Sequence, residues 1–135
     1  MKELYSKFIE IIRKRTMSNI EKSLQELMSV DGAMATCIVD YMSGMMLGSS
    51  GSGIDLELAA AGNSQVVRAK METMKSLNIS GDINDILITL DNQIHIIKPT
   101  LKHDGLFIYL VLDKAKSNLA LARRKVQMVE NDLVV

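Results

Sequence analysis

The chain has 135 residues, 47% of them hydrophobic, which suits one domain built round one core. Sixteen basic and sixteen acidic residues cancel, and aromatics reach only 4% with no tryptophan. Neither the basic face nor the stacking platform of a nucleic-acid binder is available, so no nucleic-acid partner is expected. The single cysteine, Cys37, excludes an internal disulfide framework or a multi-cysteine zinc site. With no apolar run of membrane-spanning length and no secretory signal, the expected location is cytoplasmic.

In chain order, residues 3 to 28 have helical periodicity. Leu4, Phe8, Ile11 and Ile12 share one face, and Ile20, Leu24 and Leu27 continue the spacing. Ser18-Asn19-Ile20-Glu21 has the form of a capping box, which predicts a break near 16–18. Gly32 offers the positive φ of a helix exit. Residues 33–40 then read as a buried strand and 45–49 as its antiparallel partner, joined by a turn through Asp40 and Gly44. The small residues of GSSGSG, 48–53, predict a flexible loop.

Asp55 is placed to cap a helix over 56–77, with Leu56, Ala59, Ala60, Val66, Val67, Met71, Met74 and Leu77 as its apolar stripe. Three strands follow, over 83–90, 93–101 and 106–112. Pro99 should mark a bulge or strand end, because it cannot donate a ladder hydrogen bond. The last helix places Leu119, Ala122, Val126, Val129 and Leu133 on one buried seam. The sum is an α/β (α+β) fold: a mainly antiparallel five-stranded sheet covered by helices on both faces, with an extra helix at the N-terminus.

No nucleotide-binding, zinc-protease, thiol-redox or nucleophile-elbow motif is present. His95 lies between Ile94 and Ile96 and reads as a hydrogen-bonded strand histidine, His103 as a solvent-exposed turn residue. Asp40, Asp91, Asp104 and Asp113 sit at strand ends, where aspartate is the usual turn and cap residue. Cys37 reads as a buried, unreactive thiol. No catalytic residue, metal site or cofactor is therefore expected, and the chain reads as an interaction module without enzymatic activity.

Four segments in this order resemble the roadblock/dynein light chain family. They are Leu24-x-x-Leu27-x-x-Val30-Asp31-Gly32-Ala33, Asp40-x-x-x-Gly44, Pro99, and Asp113 with Asn118-Leu119-Ala120-Leu121-Ala122-Arg123. The resemblance spans roughly residues 18 to 132 and implies a roadblock/profilin-like fold, with 1–16 as a helical extension and 17–135 as the domain. In the last helix, Asn118 and Ser117 are the candidate caps, and Arg123, Arg124 and Lys125 form a solvated face.

The resemblance also implies a homodimer, joined edge to edge through the third strand with the middle helices packed together. Ile86, Ile88 and Leu90 on that edge and Ala59, Ala60 and Gly62 on that helix are the candidate interface. An exposed apolar edge independently calls for a partner strand. The implied partner is a small Ras-like GTPase, whose GTP hydrolysis some relatives of this shape stimulate, with Arg68 and its neighbours Glu57, Gln65, Glu72 and Lys75 as the candidate docking face. The alternative is a structural, light-chain-like adaptor subunit of a motor or membrane complex with no nucleotide-dependent step. Residues 1–16 carry a net +3, from Lys2, Lys7, Arg13, Lys14 and Arg15 against Glu3 and Glu10. Their amphipathic helix is expected to cover apolar surface on its own or a partner subunit, with any membrane contact indirect.

Overall fold

A computed structural model describes the backbone of residues 1–135 and the side chains of residues 1–9 and 18–135. Helices α1 (Lys2–Met17) and α2 (Ile20–Met28) precede strands β1 (Ala33–Asp40) and β2 (Met45–Gly51). Helix α3 (Leu56–Ser76), strands β3 (Ile86–Thr89), β4 (Gln93–Pro99) and β5 (Leu106–Asp113), and helix α4 (Leu119–Asp132) follow. The sheet order is β2-β1-β5-β4-β3, with every pairing antiparallel. The side chains of Ile11 and Ile12, assigned to one face with Leu4 and Phe8 from the sequence, lie outside the described residues.

Strand β5 is central and wholly apolar up to Asp113, and alternation sends its side chains to two separate cores. Ile108, Leu110 and Leu112 join Leu24 and Leu27 of α2 and Ala122, Val126 and Val129 of α4. Phe107, Tyr109 and Val111 join Cys37, Val39, Ile97 and, from α3, Ala60 and Val67. Helices α2 and α4 thus cover one face of the sheet and α3 the other. Pro99 ends β4 and is paired with Phe107.

Local chemistry fixes the helix ends. Asp55 Oδ1 accepts from the Leu58 N–H at 3.1 Å, and Asn118 Oδ1 from the Leu121 N–H at 3.1 Å. Asn118 is the cap of α4; the Ser117 hydroxyl, the other candidate, is buried and finds no partner among the described residues. At the end of α3, Asn78 takes φ 56°. The Asn78 N–H donates to Lys75 O at 3.1 Å and the Ile79 N–H to Met74 O at 2.9 Å, a Schellman closure.

The capping box at Ser18 does not form as read. Asn19 is the N-cap of α2 but makes no cap hydrogen bond to that helix. Its side chain instead donates to Asp132 O at 2.7 Å and accepts from the Val134 N–H at 2.8 Å. The start of α2 is thereby tied to the end of α4. His103, read as a solvated turn residue, is half-buried, its Nε2 2.9 Å from Leu133 O.

GSSGSG is the larger correction. Gly48 to Gly51 belong to β2, and the small residues let α2 lie close on that strand. A Cβ at Gly48 would come within 2.8 Å of Ile20 Cγ2 and 3.0 Å of Leu24 Cδ1. One at Gly51, where φ is +90°, would run into the Met34 carbonyl and stand 2.7 Å from Ala35 Cα. Strand β3 is shorter than the eight residues read from the sequence, with pairing confined to Ile86–Thr89.

Gly51→Ala is expected to destabilise the fold by about 2 kcal/mol or more, combining a disfavoured φ with a backbone clash. Gly53→Ala, with similar φ but only Met34 Cε at 3.5 Å, should cost about 1 kcal/mol. Urea melts of both variants compare the two values.

Candidate functional site

Three features expose surface: the outer side of α3, the β1–β2 turn and the β3 edge. The turn follows from Asp40, whose Oδ1 accepts from the Met42 N–H at 2.9 Å and the Ser43 N–H at 3.4 Å. Gly44 closes it with φ +78° and an N–H bond to Asp40 O at 2.7 Å. This geometry presents Met42 and Met45, each 69% exposed.

Arg68 of α3 reaches this turn. Its Nη1 donates to the carbonyls of Tyr41, 3.1 Å, and Met42, 3.2 Å. Part of the guanidinium is thus engaged in holding the turn to the helix, and its remaining donors are left for other acceptors. Glu57, Gln65, Glu72 and Lys75, read as the rest of the docking face, are all exposed. Gln65, Arg68, Glu72 and Lys75 follow at helical steps of three and four, so they form one stripe. Glu57 stands apart, beside Gly44, Met45 and Met46.

The candidate dimer residues divide. Ala60 is fully buried beneath α3 among Cys37, Val39 and Tyr109, so its small size is spent inside the subunit. Ala59 is partly buried against the same core. Gly62 is exposed, and a Cβ there would meet nothing within 4 Å among the described residues. Val66 and Leu77, assigned from the sequence to the inward stripe, are 38% and 61% exposed. Ser64 takes the inward place instead, buried with its hydroxyl donating to Ala60 O at 2.7 Å.

Leu58, Gly62, Val66 and Ala69 consequently form an exposed row of small and apolar residues at steps of three and four. Their spacing was visible in the sequence; which of two apolar stripes faces the sheet was not. On β3, Ile86 and Ile88 turn toward the α3 side and are half-buried, while Leu87 and Leu90 are exposed by 36% and 45%. The strand is paired with β4 alone, and its other edge is open in the subunit.

Between these features lies a small polar network. The Tyr109 hydroxyl lies 2.8 Å from His95 Nδ1, and His95 Nε2 lies 2.9 Å from Gln93 Oε1. The amide oxygen can only accept, so Nε2 carries the proton and the phenol donates to Nδ1. The two rings meet edge to face at 5.5 Å. Burial pushes the Tyr109 phenol up to about 12 and the Cys37 thiol up to about 12, and lowers His95 from its usual 6.5. Cys37 is therefore a protonated, unreactive thiol at neutral pH. Among the described residues no three His, Cys, Asp or Glu side chains gather as a metal ion would need.

Arg123 lies on the exposed basic face expected of it and forms a surface pair there. It forks onto Asp85, Nε to Oδ2 at 2.8 Å and Nη2 to Oδ1 at 3.2 Å, clamping the approach to β3 against α4. Hydrogen bonding and the charge of Asp85 raise the Arg123 pKa further.

No protein-family model and no curated protein matches the sequence. Solved structures do. The Roadblock/LC7 domain from Streptomyces avermitilis superposes with a TM-score of 0.74 over 85% of this chain and 94% of that one, at 14% identity. The chain has the roadblock fold. MglB of Myxococcus xanthus gives 0.72 at 15% identity, over 84% of this chain and 93% of its own. An MglB in a tetrameric arrangement gives 0.73 at 14% identity, covering 84% of each chain.

Because folding lowers the pKa of His95, the unfolded chain takes up its proton first as pH falls. The stability linked to His95 is complete above pH 6.5 and is lost as pH falls through the lower, folded value. Melting temperature should fall more steeply below pH 6.5 in the natural chain than in His95→Gln, as thermal melts in matched buffers would show.

Proposed function

We propose that the chain is a non-enzymatic, dimeric regulator or scaffold that binds a small Ras-like GTPase. The observation that carries this reading is the pairing of a roadblock fold with an open β3 edge and an exposed small-residue row on α3. An open edge offers unpaired backbone N–H and C=O groups to a second strand. The row through Leu58, Gly62, Val66 and Ala69 lets a second helix approach closely, and among the described residues nothing requires Gly62 to be glycine. An MglB of the same fold in a tetrameric arrangement supports self-association. The dimer interface in this reading comprises Gly62 with its exposed neighbours and the Ile86–Leu90 edge; Ala60 has no surface to contribute.

The GTPase reading rests on the roadblock resemblance, and on a docking face that combines the charged stripe of α3 with the exposed Met42 and Met45. Arg68 links the two, because its own hydrogen bonds set the position of the turn. Its contribution is to shape the surface as well as to carry charge. The alternative, a structural adaptor with no nucleotide-dependent step, uses the same dimer and differs only in what it captures.

Gly62→Leu should leave the subunit folded, with an unchanged or higher melting temperature, because an exposed helical glycine costs about 1 kcal/mol. It should nevertheless weaken the dimer by at least about tenfold, a loss of about 1.4 kcal/mol, through the lost close approach. Ile88→Lys should yield monomer or aggregate. Light scattering across a dilution series reads both, and a dimer unchanged by either variant removes the proposed interface.

A pull-down from host lysate, with GDP or a non-hydrolysable GTP analogue, separates regulator from adaptor. A small GTPase enriched only with the analogue supports the regulator. A partner captured equally in both, without a GTPase, supports the adaptor. Arg68→Ala should then weaken that capture; unchanged binding and hydrolysis would remove Arg68 from the docking face.

A further inference from the structure

Helix α1 is the one element whose described side chains join neither core. Met1, Leu4, Tyr5 and Phe8 fall at steps of three and four on one face, and are 108%, 75%, 67% and 58% exposed. The expectation that this face covers apolar surface on its own subunit is therefore not met by the described residues. Something else must cover it, and the charge pattern says what.

At about 100° per residue, Lys2 and Lys7 fall on the two opposite borders of this apolar arc, and Glu3 falls near the pole facing away from it. Among residues 1–9 the two lysines thus border the apolar arc, while the acid avoids it.

A second copy of α1 would meet this helix border to border, setting lysine against lysine. The groove between α2 and α4 of a second copy is no better. Beside Val30, Leu121 and Met128 it carries Arg124 and Lys125, against the single acid Asp31. A surface that is apolar below and anionic at its rim satisfies both features at once. The stems of Lys2 and Lys7 can lie along the boundary while their ammonium groups reach the negative headgroups. Among the described residues no helix is long and apolar enough to cross a bilayer, so such a helix lies on the membrane and does not span it.

We propose that α1 is a membrane-surface anchor, which inserts Leu4, Tyr5 and Phe8 among lipid chains and binds anionic headgroups through Lys2 and Lys7. The inference does not depend on the GTPase reading; it concerns where the roadblock domain is held.

Vesicle flotation of the full chain tests it. Phosphatidylcholine vesicles with and without phosphatidylserine are compared, at low and high salt. The chain should float with the anionic vesicles only, and salt should release it. Lys2→Glu with Lys7→Glu should lower partitioning by about tenfold or more. Leu4→Ser with Phe8→Ser should abolish it, and Glu3→Lys should raise it. Melting temperatures should stay unchanged, since none of these side chains is in a core. Absence of flotation, or flotation indifferent to these variants, overturns the anchor. A fall in molar mass of the Leu4→Ser/Phe8→Ser chain in vesicle-free solution also overturns it, and assigns α1 to contact between copies.

Discussion

Strand β5 is the constraint on which the other elements depend. It runs from Leu106 to Asp113, is hydrogen-bonded on both sides, and carries apolar side chains on both faces up to Leu112. Each such side chain gains roughly 1.5–3 kcal/mol on leaving water, and alternation sends half to each face. One covering layer would strand the other half. Helices α2 and α4 on one side and α3 on the other are the consequence, and β1 and β4 follow because β5 has two edges to satisfy.

Hydrophobic cover does not by itself set how the layers sit; a few polar contacts do. Asn19 joins the start of α2 to the end of α4 through two backbone bonds. Glu130 of α4, only 3% exposed, accepts from the Leu101 N–H at 2.7 Å and faces Lys98 Nζ at 3.9 Å. Lys98 in turn donates to Asn84 O at 2.6 Å. Arg123 holds Asp85, just before β3. Arg123 directly, and Glu130 through Lys98, reach the segment that delivers the open edge strand. The helix that covers one core thus also positions the edge offered to a partner, and removing one member of the buried Lys98–Glu130 pair would leave the other charge uncompensated.

The subunit keeps its apolar surplus in separate places. One is the exposed row of α3 and another the open edge of β3. The methionine turn borders the charged stripe of α3. Helix α1 carries a third apolar surface with basic borders. Three surfaces of different character fit a protein that holds partners in place, each surface selecting by its own mixture of shape, edge hydrogen bonding and charge.

By itself the sequence determined the element order, because helical and alternating periodicity record which side chains leave water. It also determined Asp55 and Asn118 as caps and Asp40-x-x-x-Gly44 as a turn, where a side chain bonds its own neighbouring backbone. Contacts between distant segments were outside its reach. GSSGSG reads as a loop until α2 lies across β2 and needs the space at Gly48. Asn19 reads as part of a local capping box until the C-terminal residues arrive to take its hydrogen bonds. Arg123 reads as a solvated residue, which it is, but its surface partner Asp85, far away along the chain, is visible only in the fold. In α3, Ala60 and Gly62 look equivalent as small residues. Only the packed sheet decides that one fills the core and the other is open to a partner, because burial is a property of what lies opposite a side chain and not of the side chain itself.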